Sequence, residues 1–166
     1  MKRILSVVLS LFVLAGLFSF AGCKREKETD LSDGLHLVYD KSIAKLDKNT
    51  LENKDGHWRI VIHPCTSQKD LASRRSYFNN TLSSIANTNV VSEEKTFGEV
   101  TYQTEYHTSG GKFAGSYFTV LDQKVETNDI LHPLYGIYCY VTAKDESFVP
   151  EIEKAISGLY IRSITK

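Results

Sequence analysis

The chain has 166 residues, and its 20 basic and 20 acidic side chains leave no formal net charge at pH 7. A nucleic-acid-binding surface needs a basic footprint, so this balance argues against a nucleic-acid partner. The length is sufficient for a domain with a substantial buried core.

Residues 1–22 have the organisation of a secretory signal peptide. Lys2 and Arg3 form a basic start, and no charged residue occurs from Ile4 to Ala21. A membrane-spanning helix needs about 20 apolar residues, and the serines and glycine within this run favour an export signal over a permanent span. In the alternative of ordinary secretion, Cys23 has no special role.

The sequence SFAGC at residues 19–23 resembles the lipobox of bacterial lipoproteins. In that family the cysteine thiol accepts a diacylglyceryl group, and the chain is cut just before it, here between Gly22 and Cys23. Ala21 and Gly22 match the small positions of the motif, whereas Phe20 departs from the usual leucine. The resemblance implies an extracytoplasmic protein that two acyl chains on Cys23 anchor to the cell membrane or to an outer membrane.

Residues 23–33 are predicted to form a flexible tether between this lipid and the rest of the chain. After the cysteine they are almost wholly polar, with charges of both signs. Such a segment cannot bury enough apolar surface to order itself. Residues 34–166 contain no second linker or internal repeat, and we expect them to form one domain.

The spacing of apolar residues predicts strands at the start of this domain. Apolar and polar residues alternate over residues 35–39 and again over residues 58–62. Asp55-Gly56 predicts a turn before the second of these strands, and Pro64 is expected to end it.

A helix is predicted over residues 68–87. Ser67 followed by Asp70 resembles a capping box, in which side chains satisfy the first free N–H groups of a helix. The apolar residues then recur at helical spacing and form one stripe: Leu71, Phe78, Leu82 and Ile85.

Residues 90–123 and 134–143 are predicted to form antiparallel strands, with a tight turn at Ser109-Gly110-Gly111. A second helix follows, since Pro150 fits a first helical turn and residues 152–159 have an apolar face.

The order of these elements is strands, a helix, antiparallel strands and a final helix. This order predicts an α+β fold, with a twisted antiparallel sheet packed against two main helices. This order, closing with GLYIRSI at residues 158–164, resembles the DcrB and PsbP-like families of small extracytoplasmic domains over residues 34–164. The resemblance implies an α/β/α sandwich that binds partners or assists assembly and generally does not catalyse. It carries over no functional residue, because no motif is shared.

Cys65 and Cys139 are candidates for a disulfide, since export removes a domain from cytosolic reductant. A bridge requires Cα atoms within about 7 Å, and the alternatives are small buried hydrophobes or free thiols. The sequence HPC at residues 63–65 also suggests a thiol nucleophile beside His63, just before a helix start. No orienting Asn or Asp is identifiable, so we assign no catalytic residue.

The histidines give no indication of a metal site. None are spaced three or four residues apart as on a metal-binding helix face, and no phosphate- or dinucleotide-binding motif occurs. We therefore expect neither a metal nor another cofactor. The five residues are His36, His57, His63, His107 and His132.

Tyrosines are the one unusual feature of the composition. Tyr102, Tyr106, Tyr117 and Tyr138 fall on predicted strands and are candidates for a binding face on an open sheet. In the alternative, they are strand formers whose rings lie in the core and whose hydroxyls lie at its rim.

Together these patterns lead to the hypothesis of a lipid-anchored, non-catalytic binding or assembly module that contacts a protein partner at the bacterial cell envelope. One alternative is a small-ligand-binding lipoprotein with a tyrosine-lined pocket. The other is an envelope hydrolase that uses Cys65 or a histidine cluster. An open cavity would favour a small ligand, whereas a flat apolar patch would favour protein contact.

Overall fold

The computed structural model describes residues 25–32, 34–83, 90–127 and 130–162. Within these residues lie ten strands, two α-helices and one short 3-10 helix. The strands are β1 (Glu26–Ser32), β2 (Leu35–Asp40), β3 (Ala44–Asp47), β4 (Thr50–Asn53), β5 (Trp58–Cys65), β6 (Val91–Phe97), β7 (Val100–Ser109), β8 (Lys112–Thr127), β9 (Ile130–Ala143) and β10 (Leu159–Ile161). The helices are α1 (Gln68–Ser83) and α2 (Val149–Ile156), and the 3-10 helix spans Glu146–Phe148.

The strands form two antiparallel sheets. The larger has the order β3-β4-β5-β9-β8-β7-β6, and the smaller has the order β1-β2-β10. Strands account for 62% of the structure and helices for only 20%, so the predicted α+β class and its balanced α/β/α sandwich are wrong. The β content was underestimated for two reasons. The β3–β4 hairpin and the charged strand β1 were not predicted, and β8 and β9 are long, with 16 and 14 residues.

The main core lies on one face of the larger sheet, which we call the front face. Helix α2 and the smaller sheet contribute to it, together with inward residues of β5, β8 and β9. Its buried members include Leu35, Leu37, Ile60, Ile62, Tyr117, Val141, Ile152 and Ile156.

Polar contacts fix α2 on the front face. The Nε1 of Trp58 donates to Glu151 at 2.8 Å, and the hydroxyl of Tyr117 donates to Glu153 at 3.2 Å. Lys95 on β6 also binds Glu153. Pro150 lies in the first turn of α2, which confirms that sequence prediction.

Helix α1 packs on the opposite face, the back face, over a second and smaller apolar cluster. That cluster contains Cys65, Leu71, Phe78, Phe118 and Tyr138. The N–H of Asp70 donates to Ser67 Oγ at 3.2 Å, so the predicted cap and helix start are confirmed. Ile85 and the end of the predicted helix lie outside the described residues.

Arg75 ties α1 to the back face. Its guanidinium lies 3.9 Å from the ring centroid of Phe118, and its Nη2 donates to Glu105 Oε1 at 3.0 Å. A cation over an aromatic face is attracted by the ring quadrupole, so Arg75 contributes both a stacking and an ionic contact.

Residues 26–32, which the sequence placed in a tether, form strand β1 in the structure. They pair with β2 from Glu26 opposite Asp40 to Ser32 opposite Leu35. The Glu28 carboxylate accepts a hydrogen bond from Tyr160 of β10. Exposed charges on an edge strand are compatible with pairing on its other side and discourage further association. A high density of charged residues therefore does not exclude a strand at residues 26–32.

Pro64 does not end β5, which corrects a second prediction. The strand continues to Cys65, with Pro64 opposite Ile137 of β9. The N–H of Ile62 points away from β9 and bonds to Asn49, and the missing N–H of Pro64 lies on that same side. Strand β4 pairs with β5 only as far as Val61, so no ladder hydrogen bond is lost.

We predict that Gly136→Ala destabilises the fold. A Cβ at this position would lie 2.3 Å from the carbonyl oxygen of Thr119, so the paired strands β8 and β9 would have to separate. The expected loss of unfolding free energy is about 1–3 kcal/mol, measured by denaturant titration. Gly56→Asn, at a turn with open space and φ of +66°, is the control. Equal midpoints for the two variants would contradict the prediction.

We also predict that Arg75→Ala lowers the free energy of unfolding by about 1–2 kcal/mol, because it removes the cation–π and ionic contacts together. Arg74→Ala is the matched control on the same helix. Arg74 pairs with Asp70 one turn away, a type of contact that contributes about 0.3–0.5 kcal/mol. Equal losses in both variants would show that Arg75 does not fasten the helix.

Candidate functional site

Two open grooves on opposite faces of the larger sheet are the candidate sites. The front groove, with a volume of about 690 Å³, lies between β2, α2 and the β3–β4 hairpin. The tyrosine groove, of about 500 Å³, lies on the back face between α1 and strands β5 and β9.

The front groove combines an apolar floor with charged walls. Trp58, Phe148 and Ile43 are among its apolar lining residues. The charged lining side chains are Glu26, Asp40, Lys54, Asp55, Glu151 and Lys154. A ligand with an apolar body and adjacent charged groups would therefore find partners on both the floor and the walls.

Hydrogen bonds hold the walls of the front groove in place. Asp40 accepts from the N–H of Ser42 at 2.7 Å and from its hydroxyl at 2.5 Å, and these bonds lower the pKa of the Asp40 carboxyl. Glu151 accepts from Trp58, as described above. The ring of His57 lies 4.8 Å from that of Phe148, centroid to centroid. The groove is thus preorganised before a ligand arrives.

The tyrosine groove has an aromatic lining beside one ion pair. Tyr138 and Tyr140 of β9 line it together with Tyr77 of α1, whose side chain is 78% exposed. At its edge, Arg74 Nε lies 3.1 Å from Asp70 Oδ1. Burial raises the pKa of both Tyr138 and Tyr140, so their hydroxyls stay protonated and can donate hydrogen bonds.

His63 contributes a neutral ring to the tyrosine groove. Burial lowers its pKa, and the nearby Arg74 acts in the same direction. Its Nδ1 lies 3.4 Å from Asn49 Nδ2, and its ring lies 6.4 Å from that of Tyr138. The imidazole is therefore available for hydrogen bonding rather than for ion pairing at neutral pH.

The four tyrosines predicted to share a binding face do not do so. Tyr102 and Tyr117 are each only 1% exposed and belong to the front core. Tyr106 is half-buried against Phe113, with ring centroids 5.5 Å apart. Only Tyr138 reaches a groove. The prediction failed because cross-strand register places Tyr117 beside Cys139, on the face opposite Tyr138.

Two residues of the tyrosine groove, Tyr77 and Tyr140, were not among the binding-face candidates from the sequence. The signal for Tyr140 was present, because residues two apart on a strand share a face and Tyr138 was already a candidate. Tyr77 had no such signal, since only the docking of α1 brings it over β9.

Cys65 and Cys139 form no disulfide and are both buried. Cys139 lies opposite Ile62 and belongs to the front core, whereas Cys65 belongs to the cluster under α1. The two side chains therefore point to opposite faces of one sheet, and strand geometry prevents a bridge.

Cys65 does not have the surroundings of a nucleophile. Its side chain is 0% exposed, and burial, with a smaller effect of the Asp70 carboxylate, raises its pKa to about 11. Its Sγ donates to the carbonyl oxygen of His63 at 3.6 Å, not to the imidazole. The thiol nucleophile hypothesis lacks both an accessible thiolate and a base.

The described histidines do not converge. His36 stacks on Tyr160 at 5.3 Å, while His57 and His63 line separate grooves and His107 is buried on β7. Within the part of the chain that the structure describes, no group of three His, Cys, Asp or Glu side chains is arranged to hold a metal ion.

Two further findings bear on the chain as a whole. In the described ranges, neither helix has the length and apolar character needed to cross a membrane. Comparison with known proteins found no protein family and no curated protein that matches this sequence. Its function is therefore inferred from its own residues.

We predict two free, protected thiols besides Cys23. In a Cys23→Ser variant, neither Cys65 nor Cys139 should react with a thiol-alkylating reagent at neutral pH while the protein is folded, because both are buried. Both should react after denaturation without reductant, which intact mass reports as two additions. A denatured protein that gains no label would reveal a disulfide and contradict the separation of the two cysteines.

Proposed function

We propose that this protein is a lipid-anchored, extracytoplasmic binding module of the bacterial cell envelope, with the front groove as its binding site. The lipobox-like sequence ending at Cys23 supports the export and anchoring parts of the proposal. The front groove is the observation that carries the binding part. Its volume of about 690 Å³ lies within the range of about 300–1,000 Å³ that is typical of ligand sites.

The side chains of the front groove support recognition rather than catalysis. Its two serines already donate their hydroxyls, Ser42 to Asp40 and Ser157 to the carbonyl oxygen of Lys154 at 2.7 Å. His57 packs against Phe148. A serine nucleophile needs a hydrogen-bonded base, and these contacts do not provide that arrangement.

The partner we propose for this groove is a segment of another envelope protein. An apolar side chain of that segment would contact Phe148, and charges flanking it would pair with Lys154 and with the acidic lining residues Glu26 and Asp55. Charges of both signs around an apolar centre suit a peptide better than a purely apolar ligand, because peptides carry both kinds of group.

One observation favours the small-ligand alternative. The tyrosine groove brings the accessible rings of Tyr77 and Tyr140 and the neutral His63 together around about 500 Å³, while Tyr138 is only 3% exposed. Such a lining would hold a planar ligand by stacking and orient it through hydroxyl and imidazole hydrogen bonds. The envelope hydrolase alternative has no comparable support, given the surroundings of Cys65.

Site-specific photocrosslinking tests the proposed groove. A photoreactive residue at Lys154, on the wall of the front groove, should give one defined protein adduct when the anchored protein is irradiated in its native membrane. The same residue at Lys69, exposed on α1, is the control, and Phe148→Ser should strongly reduce the Lys154 adduct.

The outcomes separate the candidates. No adduct from Lys154, or the same adducts from Lys154 and Lys69, would contradict the front groove as a protein-binding site. A discrete small-molecule adduct from a probe at Ser73, in the tyrosine groove, would favour the alternative instead.

A further inference from the structure

The distance along the chain between the proposed lipid and the first strand is very short. Strand β1 begins at Glu26, three residues after Cys23. Because an extended chain spans at most about 3.3–3.6 Å per residue, the Cα of Glu26 lies within about 11 Å of the Cα of Cys23. The inference below rests on the proposed lipidation of Cys23.

The N-terminal end of β1 is fastened to the domain. The N–H of Lys41 donates to the carbonyl oxygen of Arg25 at 2.8 Å, and Glu26 pairs with Asp40. Further along, the Glu28 carboxylate accepts from Tyr160 and lies 3.4 Å from Arg162 Nη1. These contacts hold Arg25 to the domain, so the end of the domain that carries Arg25 stays within a few residues' reach of the lipid.

A continuous set of turns forms this end of the molecule. The N–H of Lys54 donates to the carbonyl oxygen of Ile43 at 2.9 Å, and the N–H of Lys144 donates to that of His57 at 2.9 Å. These bonds join the turns after β2, β4 and β9 to the start of β1. We name this surface the anchor-side rim and define it by five exposed residues: Arg25, Lys41, Ile43, Lys54 and Lys144.

We propose that the anchor-side rim lies against the bilayer, with Ile43 in the interfacial region and the basic side chains directed to lipid headgroups. Ile43 is 42% exposed and lies in the turn between β2 and β3, close in sequence to Lys41. Apolar side chains beside Lys and Arg are the composition that favours the membrane–water interface.

This end of the molecule also carries acidic residues: Glu26, Asp40, Asp55, Asp145 and Glu146. Asp40 accepts hydrogen bonds from Ser42, and Asp145 accepts from the N–H of Ser147 at 2.9 Å. Both carboxylates are thus directed back into their own turns. Because these acids are at least as numerous as the basic residues of the rim, the contact depends on the short connection and on Ile43 rather than on net attraction to anionic lipid.

This orientation also indicates where the front groove lies relative to the membrane. Ile43 and Lys54 belong both to the rim and to the lining of the front groove. The groove therefore opens beside the bilayer, and its partner would be a segment at the membrane surface rather than one far from it.

Lipid-borne quenchers test the orientation. The lipidated full chain, with Ile43→Cys carrying an environment-sensitive fluorophore, is reconstituted into protein-free phosphatidylethanolamine–phosphatidylglycerol vesicles that contain headgroup-linked nitroxides. Leu131→Cys is the matched control, because Leu131 is 60% exposed and precedes the rim by twelve residues of β9, a strand length of about 40 Å.

We expect severalfold stronger quenching at position 43 than at position 131. Equal quenching at the two positions, in protein that floats with the vesicles, would overturn the orientation and leave the lipid anchor intact. A fluorophore at position 43 that reports an apolar environment in native membranes but not in these vesicles would also overturn the orientation, because a protein rather than lipid would then cover the rim. Protein that does not float would instead contradict the lipidation on which the inference rests.

Discussion

Burial of strand β9 on both faces is the constraint on which the rest of the structure depends. Ile137, Cys139 and Val141 enter the front core, while Tyr138 enters the cluster under α1. A strand buried on both sides requires a covering layer on each face. Helix α2 and the smaller sheet provide one layer and α1 the other, and the two grooves lie where these layers end. The separation of the two cysteines follows from the same alternation.

Local patterns predicted the elements whose stabilising contacts are local. The cap at Ser67 and Pro150 in the first turn of α2 act within one helix, and the apolar stripe of α1 is a pattern along one helix, so the sequence displays all three directly. Strand β1 escaped prediction because its stability comes from β2 and β10, and Glu28 meets Tyr160 across 132 positions of the chain. The charges of β1 resemble those of a linker, and only its pairing with β2 shows that they lie on the edge of a sheet.

The grooves could not be predicted for the same physical reason. Trp58 and Glu151 define part of the front groove and are 93 positions apart. Tyr77 joins Tyr138 only through the docking of α1, to which Leu71 and Phe78 contribute buried contacts and Arg75 a contact with Phe118. The predicted tyrosine face failed because both faces of β9 are apolar, so hydrophobicity alone does not tell which side of the sheet a tyrosine occupies.

In the function that we propose, the few residues between Cys23 and β1 link anchoring to recognition. The mass of the mature N-terminal peptide, taken from protein extracted from membranes, tests this link most directly. We expect a peptide that begins at Cys23 and carries the added mass of a diacylglyceryl group. A peptide that retains residues before Cys23, or one with an unmodified thiol at that position, would contradict it.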